Sequence, residues 1–567
     1  MYDKNSRLAM LTAGNVVTAY EYNSENMIEK ETLSLDGESF VLDYIYNSTG
    51  NLTNTIYPSG TNIGYAPNAL GQAKQVGSYA TNALYHANGM VKSHSYGNGF
   101  AHTSTQKTSG LPNTFYDKRS STYALNHGFT YDANNNVTFL DDKVNNAYDL
   151  RLTFDGLDRL NNITDSYLGT GDVNYDTLGN ITYYKLGNQT IHYYYNSNKQ
   201  LDYTSGSKSY NFSYDDKGNV TDNGTRSFGY NTANQMVDSD GYLYTYDGNN
   251  KRVKEHGSNG LSYSFYASNG KLMYRKANNQ HIDYYYLGGK LVANKKASTV
   301  TYLHSDYLGS TAAESNSAGT VTDRMHYQPF GESIETPKDD VGYTGHKFDT
   351  DLGLSYMQAR YYDPVIGRFY SNDPVGYIGT VDSFNRYSYV ANNPYRYTDP
   401  TGMSKLEERD DKNYQNCEDD PNCYNVIQRS SSKSASEHDP DSGVYEFSLP
   451  SNLATSVSEV MNVSVSDING VELYANSKWA NFLNWLNGLR GWRVDATTLT
   501  NAIYLPSHVS PKSFMNNHNL LLHEYFHVIK QWNTGRMGIG SYLLSPDKWE
   551  NEAKNFARKN QNKITGN

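Results

Sequence analysis

An aromatic residue followed by aspartate, a short turn and an aliphatic residue recurs along the first 300 residues, and this pattern limits the fold more than any other feature. It reads FTYDANNNVTFL from Phe129, LTFDGLDRLNNIT from Leu152, VNYDTLGNITYY from Val173, FSYDDKGNVTDN from Phe212 and YTYDGNNKRVKE from Tyr244. The aromatic positions Tyr131, Phe154, Tyr175, Tyr214 and Tyr246 are separated by 23, 21, 39 and 32 residues, a loose period of about 20 with drifted units. Alternation before the turn predicts a strand, and Gly or Asn within it supplies the positive φ of a tight hairpin. The aspartate can hold the bend by accepting backbone amides two or three residues on. Each unit is then a hairpin too small to bury its own apolar face, so the units must stack into a solenoid or spiral sheet. The aliphatic residues Val137, Ile163, Ile181 and Val220 give that stack a core.

Composition agrees. The chain has 567 residues with 54 Tyr, 18 Phe and 46 Gly, which favours short strands and frequent turns over helices. Its length calls for at least two folding units. The net charge of −11 gives no basic footprint for nucleic acid. No apolar run approaches the roughly 18 residues that span a bilayer, so no stable membrane insertion is expected. The opening MYDKNSRLAM lacks the charged-then-apolar pattern of a general secretory signal. The two cysteines, Cys417 and Cys423, are too few for a four-ligand zinc site and read as surface thiols or one local bridge.

From residue 304 a series of motifs follows: HSDYLGS from His304, YQPFGE from Tyr327, YTGHKFDTDLGLSYMQARYYDPVIGRF from Tyr343, and NDPVGYIGTVDSFNRYSYVANNPYRYTDPTGM from Asn372 to Met403. With the repeats, this series resembles the YD-repeat proteins of the Rhs family, relatives of the toxin-complex C components and of teneurins. The resemblance covers residues 1–403. It implies a mainly β chain in which repeats 1–300 form a hollow spiral shell, closed by the Rhs core at 301–403 and enclosing a C-terminal polypeptide. The array is short for such a shell and has no recognisable plug domain, so it is either the C-terminal part of a larger shell or a reduced one.

Two Asp-Pro-x-Gly tetrads, at Asp373 and Asp399, stand 26 residues apart. Alone they are good turn chemistry. The resemblance implies more: an intramolecular aspartyl protease in which Asp373 and Asp399 form a dyad that cuts between Met403 and Ser404, with Asp382 a weaker third candidate. Two carboxylates held close share a proton, so one can activate water while the other polarises the carbonyl. Met403 stands where the family more often has leucine.

After Met403 the composition turns polar, and residues 404–443 read as a linker. Residues 444–567 alternate strands (GVYEFSL, NAIYLPS) with helices near 479–489, 520–532 and 547–559, a small α+β domain. Its chemistry centres on LLLHEYFHVIKQW. On a helix His523 and His527 share one face and can reach one ion, and Glu524 is placed to work on water without ligating. Downstream, WENEAKNFA offers Glu550 and Glu552 as the third ligand. At 100° per residue Glu550 borders the face of Ala553 and Ala557, where small side chains leave room. The HExxH and ExxA arrangement resembles gluzincin-type metallopeptidases, in which the first acid of the second motif binds zinc, so Glu550 is preferred and Glu552 is the alternative. His508, His518, Tyr525 and Arg536 lie near in sequence without a readable role. The expectation is a Zn2+-dependent endopeptidase, released by self-cleavage from an Rhs-type effector. It would be made in a bacterial cytoplasm, passed to a delivery component or secretion apparatus, directed at a protein substrate in a target cell and countered by an immunity protein. The contrasting expectation is a non-enzymatic YD-repeat surface or adhesion protein with an inert C-terminal domain.

Overall fold

The computed structural model describes residues 1–375, 384–403 and 405–407, and further on 445–447, 449, 451–465, 468, 471–475, 497–499, 502–504, 518–526, 530 and 546–560. The chain divides into two compact units, Met1–Tyr424 and Asn425–Asn567, so the break falls inside the expected linker.

Among the described residues of the first unit, three large antiparallel meanders follow one another. Sheet I has six strands in residues 10–64, sheet II twelve in residues 80–206 and sheet III eleven in residues 229–324. Every strand pairs with its sequence neighbour, as stacked hairpins require. Sheet III runs through residue 300 without a break, so the repeat architecture extends to Arg324. A smaller four-stranded sheet, from Lys347–Asp349 to Arg368–Phe369, belongs to the core segment.

The YD turn explains the hairpins. Asp176 Oδ1 accepts the amides of Leu178 and Asn180, both at 2.9 Å. The same pattern repeats at Asp132, Asp155, Asp215 and Asp247. The carboxylate therefore holds amides two and four residues on, rather than two or three. The reason is a three-residue loop in which the fourth residue adopts positive φ (Asn135, Asp158, Gly179, Gly218 and Asn250) and shifts the register by one bulge. Asparagine does the same work at Asn196 and Asn231. Tyr195 and Tyr230 thus mark units that fill the apparent gaps of 39 and 32 residues.

The tyrosine has its own role. Tyr175 donates its hydroxyl to the Leu160 carbonyl at 2.6 Å, Tyr195 to Ile181 at 2.6 Å and Tyr214 to Leu201 at 2.7 Å. Each acceptor lies five residues beyond the Asp or Asn of the preceding turn, so every hydroxyl ties one unit to the one before. Tyr46 and Tyr246 obey the same rule, and Tyr131 and Tyr286 reach the equivalent carbonyls of turns that open at Lys107 and Ala267.

Along strands such as Gly169–Tyr175 of sheet II buried and exposed residues alternate, whereas strands such as Leu272–Ala277 of sheet III are buried on consecutive residues. Leu160, Ile163, Val173, Ile181 and Ile191 of sheet II pack against Phe330, Tyr356, Tyr361 and Tyr370 of the core segment. Leu33, Phe40 and Leu42 of sheet I pack against Val253, Phe265 and Tyr274 of sheet III. Each such burial is worth about 1.5–3 kcal/mol.

Among the described residues of the second unit, a four-stranded mixed sheet contains Tyr445–Phe447, Glu472–Ala475, Ala502–Tyr504 and Thr497–Leu499, in that order. Three helices accompany it: Ser451–Met461, His518–Phe526 and Pro546–Asn560. The α+β expectation holds for this unit, with Ser451–Met461 an additional helix. The expected helix near 479–489 and both cysteines lie outside the described residues.

Candidate functional site

The strands Leu354–Met357 and Arg360–Asp363 form a tight hairpin whose tip faces the second Asp-Pro-x-Gly tetrad. Gln358 Nε2 donates to the Pro400 carbonyl at 2.9 Å and the Ala359 amide to the Thr401 carbonyl at 3.1 Å. Gly402 has φ +72°, and a Cβ there would stand 2.1 Å from the Met357 carbonyl oxygen. Only glycine lets the tetrad press this closely onto the hairpin.

Docking brings the Asp399 carboxylate to Arg360. The Arg360 Nη2 atom lies 3.2 Å from Asp399 Oδ2 and 2.9 Å from Asp373 Oδ2. Both predicted aspartates thus meet on one guanidinium, which is buried and lies 3.6 Å from the centre of the Phe369 ring. Asp399 Oδ1 accepts the Met403 amide at 3.0 Å, and Asp373 Oδ1 accepts the Val375 amide at 2.8 Å. The turn role and the clustered role therefore coexist in the same side chains.

Two guanidiniums, Arg360 and Arg386, meet the two carboxyl groups here, and Arg386 Nη2 also donates to the Asp373 carbonyl. Burial holds the Asp373 carboxyl above its ordinary range, against the pull of Arg360 and Arg386. Arg360 is itself lowered by burial and restored in part by the two aspartates, and a guanidinium keeps its charge. Such a pair favours one protonated and one ionised carboxyl. Asp373 keeps a fifth of its side chain exposed, whereas Asp399 is buried. His346, buried and lowered to about 4, donates through Nε2 to the Asp399 carbonyl at 3.0 Å.

Sequence reasoning missed Arg360 and His346. Arg360 opens the buried strand that continues through Tyr361 and Tyr362, where an arginine needs an anionic partner, and that was the available signal. Ser404 and Asp382 lie outside the described residues.

In the second unit, the His518–Phe526 helix carries His523 half-buried and Glu524 buried, with His523 Nε2 and Glu524 Oε1 3.9 Å apart. Ala553 and Ala557 of the Pro546–Asn560 helix share a core with Leu521, Leu522 and Tyr525, and the Phe526 and Phe556 rings are 4.6 Å apart. The two helices that carry the expected donors are thus packed together through small residues. Heptad spacing puts Glu550 on the stripe of Ala553 and Ala557. His527, His508 and Arg536 lie outside the described residues, as do the side chains of Glu550, Glu552 and His518. Tyr525 is a core residue, with its hydroxyl pushed up by burial. Among the described residues, no group of three or more His, Cys, Asp or Glu side chains could hold a metal. No described helix is long and apolar enough to cross a membrane.

Comparison with known proteins places these features. The Teneurin YD-shell family profile matches residues 284–399. Toxin subunit YenC2 of Yersinia entomophaga is 41% identical over 106 residues, 17% of this chain and 10% of that protein. Double-stranded DNA deaminase toxin A of Burkholderia cenocepacia is 30% identical over 118 residues, 19% of this chain and 8% of that protein. The crystal structure of TcdB2-TccC3-TEV superposes with a TM-score of 0.56 at 16% identity, covering 70% of this chain and 24% of that one. The chain thus spans about a tenth of the length of these curated relatives. In its repeat, its antiparallel meanders and its core motifs the chain is similar to YD-repeat shell proteins.

Proposed function

We propose that the shell unit cuts its own chain after Met403 and so frees a C-terminal toxin, a zinc-dependent metallopeptidase, for action in a target cell. The observation that carries the self-cleavage is the meeting of Asp373 and Asp399 on one Arg360 nitrogen, with Asp399 also holding the Met403 amide. Arg360 offsets the repulsion that would keep two carboxylates apart and leaves room for one shared proton. Asp399, ionised, takes a proton from water as the water oxygen bonds the Met403 carbonyl carbon. Asp373, protonated, gives its proton to the carbonyl oxygen. Collapse breaks the bond to the Ser404 nitrogen, which takes the proton held by Asp399, while a hydroxyl of the diol returns a proton to Asp373, leaving a carboxylic acid at Met403, which ionises, and an amine at Ser404.

The chemistry of the second unit's donors supports the cargo reading. His523, His527 and Glu550 would hold the ion, with Glu552 the alternative to Glu550. When bound, zinc supplies a Lewis acid and brings the pKa of bound water to about 7. Glu524, buried beside His523, is placed to accept a proton from that water. The relatives' names, a toxin subunit and a double-stranded DNA deaminase toxin, support delivery of a toxin. A delivery component, a protein substrate and an immunity protein are the partners this reading requires.

Intact-mass analysis of purified full-length protein tests the first step. Wild type is expected as two pieces that meet at Met403–Ser404, and Asp399→Asn as one. A wild-type chain that stays whole sinks the self-cleavage reading. Metal analysis of the same preparation tests the cargo, with one zinc per chain expected and loss of it in His523→Ala. Wild type without stoichiometric zinc leaves the inert-domain alternative.

A further inference from the structure

Two repeat turns reach Asp373 from both sides, the Asp176 turn of sheet II and the Asp215 turn of the two-stranded ladder, Ser213–Tyr214 with Val220–Asp222, that follows it. On one side, the Asp373 amide donates to the Arg386 carbonyl at 3.0 Å, and Arg360 Nη1 donates to the same oxygen at 3.0 Å. The preceding residue, Asn385, donates through Nδ2 to Asn180 Oδ1 at 2.9 Å. Asn180 closes the Asp176 turn and is buried, and its own Nδ2 is committed to Asp176 Oδ2 at 2.9 Å. Its oxygen is therefore aimed outward, where Arg368 Nη2 joins Asn385 at 3.1 Å. On the other side, Asn372 Nδ2 donates to the Lys217 carbonyl at 2.8 Å, and Tyr387 donates its hydroxyl to the Gly218 carbonyl at 2.7 Å. Both acceptors lie in the Asp215 turn. The fit there is close, since a Cβ on Gly218 would stand 2.3 Å from Asn372 Nδ2 and 2.6 Å from the Tyr387 hydroxyl.

We infer that these two repeat turns are positioning elements for the cleavage site, with Asn180 and Asn385 as the central pair, so that cleavage starts only once sheet II and the two-stranded ladder after it have formed. This rests on the self-cleavage reading. The turns touch neither the reacting bond nor the carboxylates. They fix the two backbone stretches, Asn372–Asp373 and Asn385–Arg386, that aim Asp373 at Arg360. Because the partners are 155 and 205 residues apart in sequence, a partly folded chain lacks them. The shell would then report its own completion by cutting the chain, and a toxin would not be freed from an unfinished container.

Time courses of cleavage during cell-free synthesis of the full chain test this, with intact mass as the readout and the melting temperature of the purified protein alongside. Asn385→Ala is expected to slow cleavage about 100-fold, the cost of a misplaced catalytic group. The acid limb of its pH–rate profile should also shift, because the Asp373 carboxyl moves relative to Arg360. Asn180→Ala, which removes the oxygen shared by Asn385 and Arg368, should slow cleavage and shift the profile likewise. Gln235→Ala removes a turn side chain that bonds Asn231 and Asn250, and should leave the rate and profile unchanged. Asn372→Ala provides a second disruption should Asn385→Ala not fold. Folded Asn385→Ala or Asn372→Ala cutting at the wild-type rate and pH profile overturns the inference. Wild type that stays whole overturns the self-cleavage reading beneath it, which the two-piece wild-type pattern distinguishes.

Discussion

At Asp117 one carboxylate collects three donors from two sheets, whereas at Arg360 one guanidinium serves two carboxylates. Asp117 lies in sheet II with His102 Nδ1 at 2.7 Å and the Tyr96 hydroxyl at 2.8 Å, and His304 Nδ1 reaches it from sheet III at 2.6 Å. His304 Nε2 lies 2.8 Å from Ser315 Oγ, which also accepts from Asn98 Nδ2 at 2.8 Å. Ser315, His304 and Asp117 have the spacing of a hydrolase triad, yet all three are fully enclosed. A substrate cannot reach that serine, and the donors on Asp117 hold its pKa far below the usual carboxylate range. The Asp117 centre is a satisfied clamp between sheets. The Arg360 centre brings two carboxyl groups to one guanidinium, with a partly exposed Asp373 and the Met403 backbone alongside. On the self-cleavage reading, access rather than residue type or distance separates this centre from a structural one.

Exchanging a carboxylate for an amide at each centre gives the largest expected effects, and they should be opposite in kind. Asp117→Asn removes the one negative charge between His102 and His304. It should cost roughly 3–5 kcal/mol, the usual penalty for breaking a buried charge pair, while molecules that still fold are cleaved normally. Asp399→Asn should abolish cleavage and leave the urea midpoint near wild type, because Arg360 keeps Asp373. Urea titration and intact mass on both variants check this. If Asp117→Asn blocks cleavage in folded protein, or Asp399→Asn collapses stability, the division between clamp and catalyst is wrong.

The two centres also differ in how much of them could be read from sequence. The YD turns were legible because Asp, the following amides and the positive-φ residue lie within five positions. Units built on Asn196 and Asn231 escaped a reading keyed to aspartate, although the physics is the same. The tyrosine hydroxyl rule was hidden because each acceptor lies on a different strand. Asp373 and Asp399 stood out through their tetrads, but Arg360 reaches them only by docking of a hairpin, which no spacing encodes. The same is true of Asp117 and His304, 187 residues apart. In the second unit, Ser451–Met461 was missed because serine, threonine and valine are weak helix formers. The buried Ala454, Val457 and Met461 show the helical stripe that tertiary packing selects.

Acid should weaken both centres by a smaller amount. Burial lowers His94, whose ring stacks on His102 at 5.0 Å, to about 3, and lowers His346 beside Asp399 to about 4. A histidine with a depressed folded pKa binds its proton more readily when unfolded, so stability falls as pH drops below about 6.5 and continues to fall to the folded value. Each contributes about 1.4 kcal/mol per pH unit, or about 2 kcal/mol by pH 5. Asp117 is silent in this window, because a carboxylate with a lowered pKa loses its contribution only below about 3.8. His326, raised by Asp142 and Glu335, acts in the opposite direction and stabilises below about 6.5. Urea midpoints between pH 7 and pH 5 should fall, and His94→Phe, which keeps a ring without titrating, should flatten the slope. An unchanged slope would mean that His94 takes its proton without opening the clamp.

The smallest test compares two tyrosines that spend their hydroxyls differently. Tyr96 donates to the charged Asp117, and Tyr175 to the neutral Leu160 carbonyl. A hydrogen bond to a charged group is worth about 1.5–3 kcal/mol and one to a neutral carbonyl about 0.5–1.5 kcal/mol. Tyr96→Phe should therefore cost about 1 kcal/mol more than Tyr175→Phe by urea titration. The repeat supplies the reverse experiment as well. Phe154 occupies the tyrosine position of its unit, and the acceptor assigned to it by the five-residue rule is the Val137 carbonyl. Phe154→Tyr should then gain up to about 1 kcal/mol. Equal losses at Tyr96 and Tyr175 would show that Asp117 is held by its two histidines alone, and that the tyrosine is as replaceable in the clamp as in the ladder.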